Sequence, residues 1–100
     1  MEVVSTDSFV GRNTTVHCHE RIELADHVNL AEGVNVMDSD HTHDGSDTYV
    51  ARQRIVSAAV FVESNVFVGT NALILRGSHV GRNVMIATGA VLTGGDYPER

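Results

Sequence analysis

The sequence contains no lysine and no tryptophan, and it has a single proline and a single cysteine. Its seven basic side chains are all arginines, set against thirteen acidic ones, for a formal net charge of −6. A chain with no basic stripe and no aromatic–basic interleaving does not suit nucleic acid. The same deficit argues against an anionic membrane surface. No apolar run approaches the roughly 20 residues of a membrane-spanning helix. The opening Met1-Glu2-Val3-Val4-Ser5 lacks the basic and apolar segments of a secretion signal. The lone Cys18 can close no internal disulfide. Together these features lead to the expectation of a cytoplasmic protein.

Aromatic residues are also scarce, three Phe and two Tyr in 100 residues, while apolar residues as a whole make up 42%. The apolar content is therefore mostly Val, Ile, Leu and Ala, which suits a narrow core of small stacked layers. A helical domain of this size would show more Leu, Lys and Glu in a helical period.

What the sequence does have is a period of six. Aliphatic residues stand at Val56, Val62, Val68, Ile74, Val80, Ile86 and Leu92. Four residues after each come Val60, Val66, Ala72, Ser78, Val84, Ala90 and Asp96, all small or β-branched except the last. Asn65, Asn71, Gly77, Asn83 and Gly89 stand three after the aliphatic position. Alternating side chains of a strand point to opposite sides, and Asn and Gly tolerate the left-handed backbone of a corner. One hexad is then one flat face of a prism, and three hexads make a coil. The first half is less regular. Val4, Val10, Val16 and Ile22 keep the spacing, and after a shift of two, Leu24, Leu30 and Val36 continue it. A sandwich or barrel also alternates Val-rich strands with Gly/Asn turns, but neither needs a fixed spacing over seven units. The expectation is one all-β domain over 1–100, a left-handed parallel β-helix of hexapeptide repeats.

The stretch from Asp38 to Gln53 breaks the pattern and reads as a loop thrown out between two coils. It carries Asp38, Asp40 and Asp44 together with His41 and His43. Insertions in repeat proteins are where function tends to sit. His17-Cys18-His19 is the other cluster of chemical interest. Alternation puts the two imidazoles on one side of a strand, but two ligands do not close a zinc site, so no metal is expected. Cys18 reads as a small buried residue.

The segments Val60 to Gly77, Val80 to Thr93 and Val10 to Asp40 resemble hexapeptide-repeat O-acetyltransferases, among them the maltose and galactoside acetyltransferases and other sugar O-acetyltransferases. The resemblance covers nearly the whole chain. It implies acetyl-CoA as co-substrate, a small hydroxylated acceptor and a homotrimer with its site between subunits. In that family a His follows a Val-x-Ile-type hexad in an Asp- and His-rich context, which Val34 to His43 matches. Neutral imidazole titrates near working pH, so His41 is the expected general base. His17, Asp38, Asp40 and His43 are the expected acceptor-side residues. Gly69, Thr70, Ala87, Thr88 and Thr93 match the family's pantetheine groove, with Gly94 where many members have Lys. Zinc-dependent γ-class carbonic anhydrases share the solenoid, but the matching Gly69-Thr70 and Arg76-Gly77 contain no His. Family members continue past the region of Asp96 to Arg100 with an Ala-Gly-Asn-Pro-Ala-like segment and a C-terminal helix. The alternative expectation is accordingly a truncated or inactive β-helix module that trimerises or binds a small ligand.

Overall fold

The computed structural model describes residues 2–41, 47 and 54–99, with His41 described by its backbone alone. The first coil is β1 (Glu2–Ser5), β2 (Ser8–Val10) and β3 (Thr15–His17), and the second is β4 (Arg21–Leu24), β5 (Val28–Leu30) and β6 (Asn35–Met37). Then come β7 (Ser39–His41) and β8 (Ile55–Ser57), which stand outside the solenoid. The third coil is β9 (Val60–Val62), β10 (Val66–Val68) and β11 (Leu73–Ile74). The fourth is β12 (Ser78–Val80), β13 (Met85–Ile86) and β14 (Val91–Leu92), and β15 (Gly95–Tyr97) follows it. Parallel pairing stacks these strands into three faces: β1-β4-β9-β12-β15, β2-β5-β10-β13 and β3-β6-β11-β14. The result is a prism of 43 × 23 × 22 Å, the left-handed β-helix expected from the repeat.

Each hexad sends two side chains inward, which is why the small and aliphatic columns both matter. Val28/Leu30, Val66/Val68 and Val84/Ile86 stack on the second face. On the first face the inward pairs are Ile22/Leu24, Val60/Val62 and Ser78/Val80. Ser78 fits among apolar neighbours because its hydroxyl donates to the Leu75 carbonyl at 2.7 Å. The corners confirm the logic of the Asn and Gly column: Asn13, Asn65, Asn71 and Asn83 all have φ between 57° and 66°. His27, at φ 61°, occupies the same column without being Asn or Gly.

Three details differ from the sequence-based expectation. Val4 is not in the inward column, because β1 pairs Val3 with Ile22 and Ser5 with Leu24. The two-residue shift falls earlier than Ile22, at the corner 18–20, since Val16 still stacks on Val36 while Ile22 stacks on Val60. Finally, the segment after Asp38 does not begin as a loop. β7 and β8 form an antiparallel ladder, Ser39 with Ser57, Asp40 with Val56 and His41 with Ile55. Val56 thereby belongs to this stem and not to the column below Val62. Strand pairing satisfies backbone groups that an open polar loop would leave to water.

Candidate active site

The stem leaves the prism at the edge between the third and first faces. A column of backbone hydrogen bonds runs along that edge. Asp38 N–H donates to the His17 carbonyl at 3.3 Å, and Ala58 N–H to the Asp38 carbonyl at 2.9 Å. Gly77 N–H donates to Ala58 at 3.2 Å, and Gly95 N–H to Gly77 at 3.0 Å. The residues on either side of the insertion, Asp38 and Ala58, are thus neighbours in the column. The insertion departs and returns at one place without opening the solenoid.

Beside the stem lies a groove of about 210 Å³ lined by His17, His19, Met37, Ser39, Asp40 and Ile55. Strand alternation carries His17 and Met37 to its outer surface, one coil apart, as register neighbours. His19 reaches the same groove across the 18–20 corner, and Cys18 between the two His turns inward, as its residue type suggested. Two imidazoles, a carboxylate and a hydroxyl line it together with Met37 and Ile55, a mixture that can hydrogen-bond and pack against a polyhydroxylated molecule. Asp40 is held by Arg76, Nε to Oδ2 at 3.1 Å. Of the residues expected on the acceptor side, the structure brings His17 and Asp40 together here. His41 contributes its backbone to β7 at this site, while its side chain and all of His43 lie outside the described residues.

Asp38 is placed differently from the expectation. It is completely enclosed, and its carboxylate accepts backbone N–H bonds from His19 at 2.7 Å and from Glu20 and Arg21 at 2.8 Å. A carboxylate so occupied faces the interior and presents no oxygen to an acceptor. Burial opposes its ionisation, but the three N–H donors, helped by Cys18, outweigh burial and hold its pKa below the usual carboxylate value. The Cys18 Sγ lies 3.2 Å from the Glu2 carbonyl oxygen and 3.7 Å from Asp38 Oδ2. Burial and then the neighbouring Asp38 charge push its thiol pKa up.

Gly69, Thr70, Ala87 and Thr88 stack on one another at the next edge, between the second and third faces. Gly69 N–H donates to the Ile86 carbonyl at 2.8 Å, and Gly89 N–H to Thr70 at 2.9 Å. The contact is so close that a Cβ on Gly69 would fall 2.6 Å from the Thr88 nitrogen. Much of the backbone here is already engaged, since the Gly69 and Ala87 carbonyls accept from Ala72 and Ala90. The exposed side chains of Thr70 and Thr88 stand out from the corner. Thr93 is not with them; it precedes β15 on the edge that carries the stem.

The residues missed from sequence are those that act across coils. Arg76 touches Asp40, 36 positions away, and the Ser57 hydroxyl donates to Glu20 Oε1 at 2.9 Å across 37 positions. His79 stands on the first face with Nε2 2.6 Å from Glu63 Oε2 and Nδ1 3.7 Å from Asp96 Oδ1, edge-on to Phe61. Among the described residues no group of three His, Cys, Asp or Glu is arranged to hold a metal ion.

A left-handed parallel β-helix with an insertion at one edge is thus the class that the fold defines. Residues 59–94 match the family model for the bacterial transferase hexapeptide (six repeats), in agreement with the resemblance drawn from the sequence. No curated protein matches the chain significantly. Among solved structures, a point mutant of AntD, an N-acyltransferase from Bacillus cereus in complex with dTDP and coenzyme A, superposes with a TM-score of 0.84 at 15% identity, over 98% of this chain and 56% of that one. AntD in complex with dTDP and 3-hydroxybutyryl-CoA gives 0.81 at 16% identity, over 95% and 55%. A maltose O-acetyltransferase from Clostridium difficile 630 gives 0.68 at 24% identity, over 96% and 58%. The chain spans little more than half the length of these neighbours.

Proposed function

We propose that this chain is the β-helix of a coenzyme-A-dependent acyltransferase, one that carries an acetyl group from acetyl-CoA to a hydroxyl of a sugar-like acceptor. The observation that carries the proposal is the groove at the foot of the stem, where His17, His19, Ser39 and Asp40 converge beside the strand bearing His41. His41 takes the proton of the acceptor hydroxyl as its oxygen attacks the thioester carbonyl. The tetrahedral intermediate then collapses, the C–S bond breaks, and the imidazolium returns the proton to the departing thiolate of coenzyme A. His17 and Asp40, with His43, hold the acceptor's other hydroxyls. The stacked corner of Gly69, Thr70, Ala87 and Thr88 lies against the pantetheine arm, and Thr93, on a different edge, is not part of that corner. The active form is a cytoplasmic homotrimer. The solved neighbours support coenzyme A chemistry, since two of them were crystallised with coenzyme A or an acyl-CoA.

The test is direct. The chain is incubated with acetyl-CoA and a panel of mono- and disaccharides, and both thiol release and acetylated sugar are measured. Acceptor-dependent thiol release supports the proposal, and its absence across the panel while acetyl-CoA binds by calorimetry rejects it.

A second reading, a β-helix module that trimerises without turnover, is favoured by one face. Phe9, Asn29, Phe67 and Met85 form a registered outward column in which Phe9, Phe67 and Met85 are exposed. Apolar columns of this kind on flat faces suit burial between copies around a cyclic axis. Turnover in the acetyl-CoA assay separates the two readings, and sedimentation tests the trimer they share: a monomer at micromolar concentration rejects it in both.

A further inference from the structure

The stem of the insertion is tied to the solenoid from two directions. From the coil on one side, Arg76 reaches Asp40 in β7, Nε to Oδ2 at 3.1 Å. From the coil on the other side, Glu20 accepts the Ser57 hydroxyl of β8 at 2.9 Å. Arg76 sits next to Gly77, which is itself hydrogen-bonded to Ala58 at the foot of the stem. Glu20 sits in the corner that Asp38 holds through its N–H. Each strand of the stem is therefore anchored to a corner whose own position is set by the edge column.

The stem needs such anchors. It is a ladder of three residue pairs, too short to be stable on its own. The Arg76–Asp40 pair is close to half exposed on both partners, and exposed pairs contribute little to global stability. Its consequence is local: it orients Asp40 at the lip of the groove and sets the strand that continues into His41.

We propose that Arg76 is a positioning residue for the groove, acting through Asp40, with the Glu20–Ser57 contact as its counterpart on the opposite strand. The proposal rests on the acyltransferase reading for its effect on turnover, but the anchoring itself is independent of that reading.

The experiment therefore has two arms on the full chain. The first is amide hydrogen exchange at 39–41 and 55–57 in the parent, in Arg76→Gln, in Arg76→Lys and in the swapped pair Arg76→Asp with Asp40→Arg. Exchange should quicken about 1.5- to fivefold in Arg76→Gln, as expected for losing a contact of this class. Arg76→Lys and the swapped pair should return most of the protection. The second arm is steady-state transfer. Arg76→Gln should lower kcat about ten- to a hundredfold, the scale of a small misplacement of reacting groups. KM for acetyl-CoA should be unchanged, since the proposed pantetheine corner is on another edge, and Arg76→Lys should recover part of the rate. Unchanged exchange in Arg76→Gln overturns the anchoring. Faster exchange with an unchanged kcat overturns the positioning role and leaves a purely structural tie. A parent with no transfer rejects the acyltransferase reading, and the exchange arm then decides the anchoring alone.

Discussion

Asp38 accepts the backbone N–H of Glu20 at 2.8 Å, from the coil above, and it does so with a side chain that has no exposed surface. His19 and Arg21 donate to the same carboxylate. The corner that they form holds the two extra residues of the first coil. Extra residues at a corner leave N–H groups without the usual partner in the next coil, and a buried carboxylate supplies the missing acceptors. Removing it should leave several donors unsatisfied, each costing about 1–3 kcal/mol. Asp38→Ala is expected to destabilise the chain by about 3 kcal/mol or more in urea unfolding. Asp38→Asn should recover little, because its amide group would turn a donor toward these donors.

The same carboxylate makes stability depend on pH. Its folded pKa is depressed, so its contribution is fully present above the unfolded carboxylate pKa, and it is lost as pH falls through the lower folded value. Unfolding measured across the acid range should show a descending limb below about pH 4. In Asp38→Asn that limb should be shallower by one proton's worth of slope. An unchanged limb would remove Asp38 from the acid response.

Cys18 should behave as an unreactive thiol. It is 8% exposed, and burial and the Asp38 charge both raise its pKa. Little thiolate then exists near neutral pH to react. Ellman's reagent is expected to label it slowly in the folded chain and at once in urea. Labelling of the folded chain as fast as of a free thiol would show that the corner opens readily.

Gly69→Ala and Gly89→Ala test two different demands on glycine. At Gly69 a methyl group meets backbone of the neighbouring coil, at 2.6 Å from Thr88 N and 2.9 Å from Ile86 O. Backbone cannot step aside, so a cost of about 1–3 kcal/mol is expected. At Gly89 nothing lies within 4 Å, but φ is +74°. That cost is conformational only, about 1 kcal/mol. Thermal melts should rank Gly69→Ala below Gly89→Ala, and the reverse order would contradict the close approach.

The insertion should be separable from the solenoid. Because Ala58 N–H already meets the Asp38 carbonyl at 2.9 Å, replacing residues 39–57 by a short glycine link should leave a chain that still unfolds cooperatively and keeps the far-ultraviolet signature of a β-protein. Transfer should vanish. His41→Ala should keep the insertion and lower turnover by about two to four orders of magnitude, the range for losing a general base, with acetyl-CoA affinity unchanged. Full activity in both variants would end the proposed role of this edge. If His43→Ala loses activity and His41→Ala keeps it, the base lies two residues further on.

The six-residue period was enough to establish the solenoid, its corners and the place of the insertion. Inward Val and Ile, and Asn or Gly at positive φ, are local demands that each coil repeats, so they are written along the chain. The same locality explains why Val10 and Val16 could be assigned correctly while Val4 and Val56 could not. Their spacing fits the repeat, but β1 is registered by its pairing with β4, and Val56 by its pairing with Asp40. Only the tertiary structure could turn Asp38 inward, since its partners are the amides of a corner 17 to 19 positions earlier. It also decided that His17 and Asp40 share a groove and that Arg76 holds the second of them. Contacts between coils join residues whose separation depends on the length of each corner and of the insertion. A period describes what every coil has in common, and these contacts arise where the coils differ.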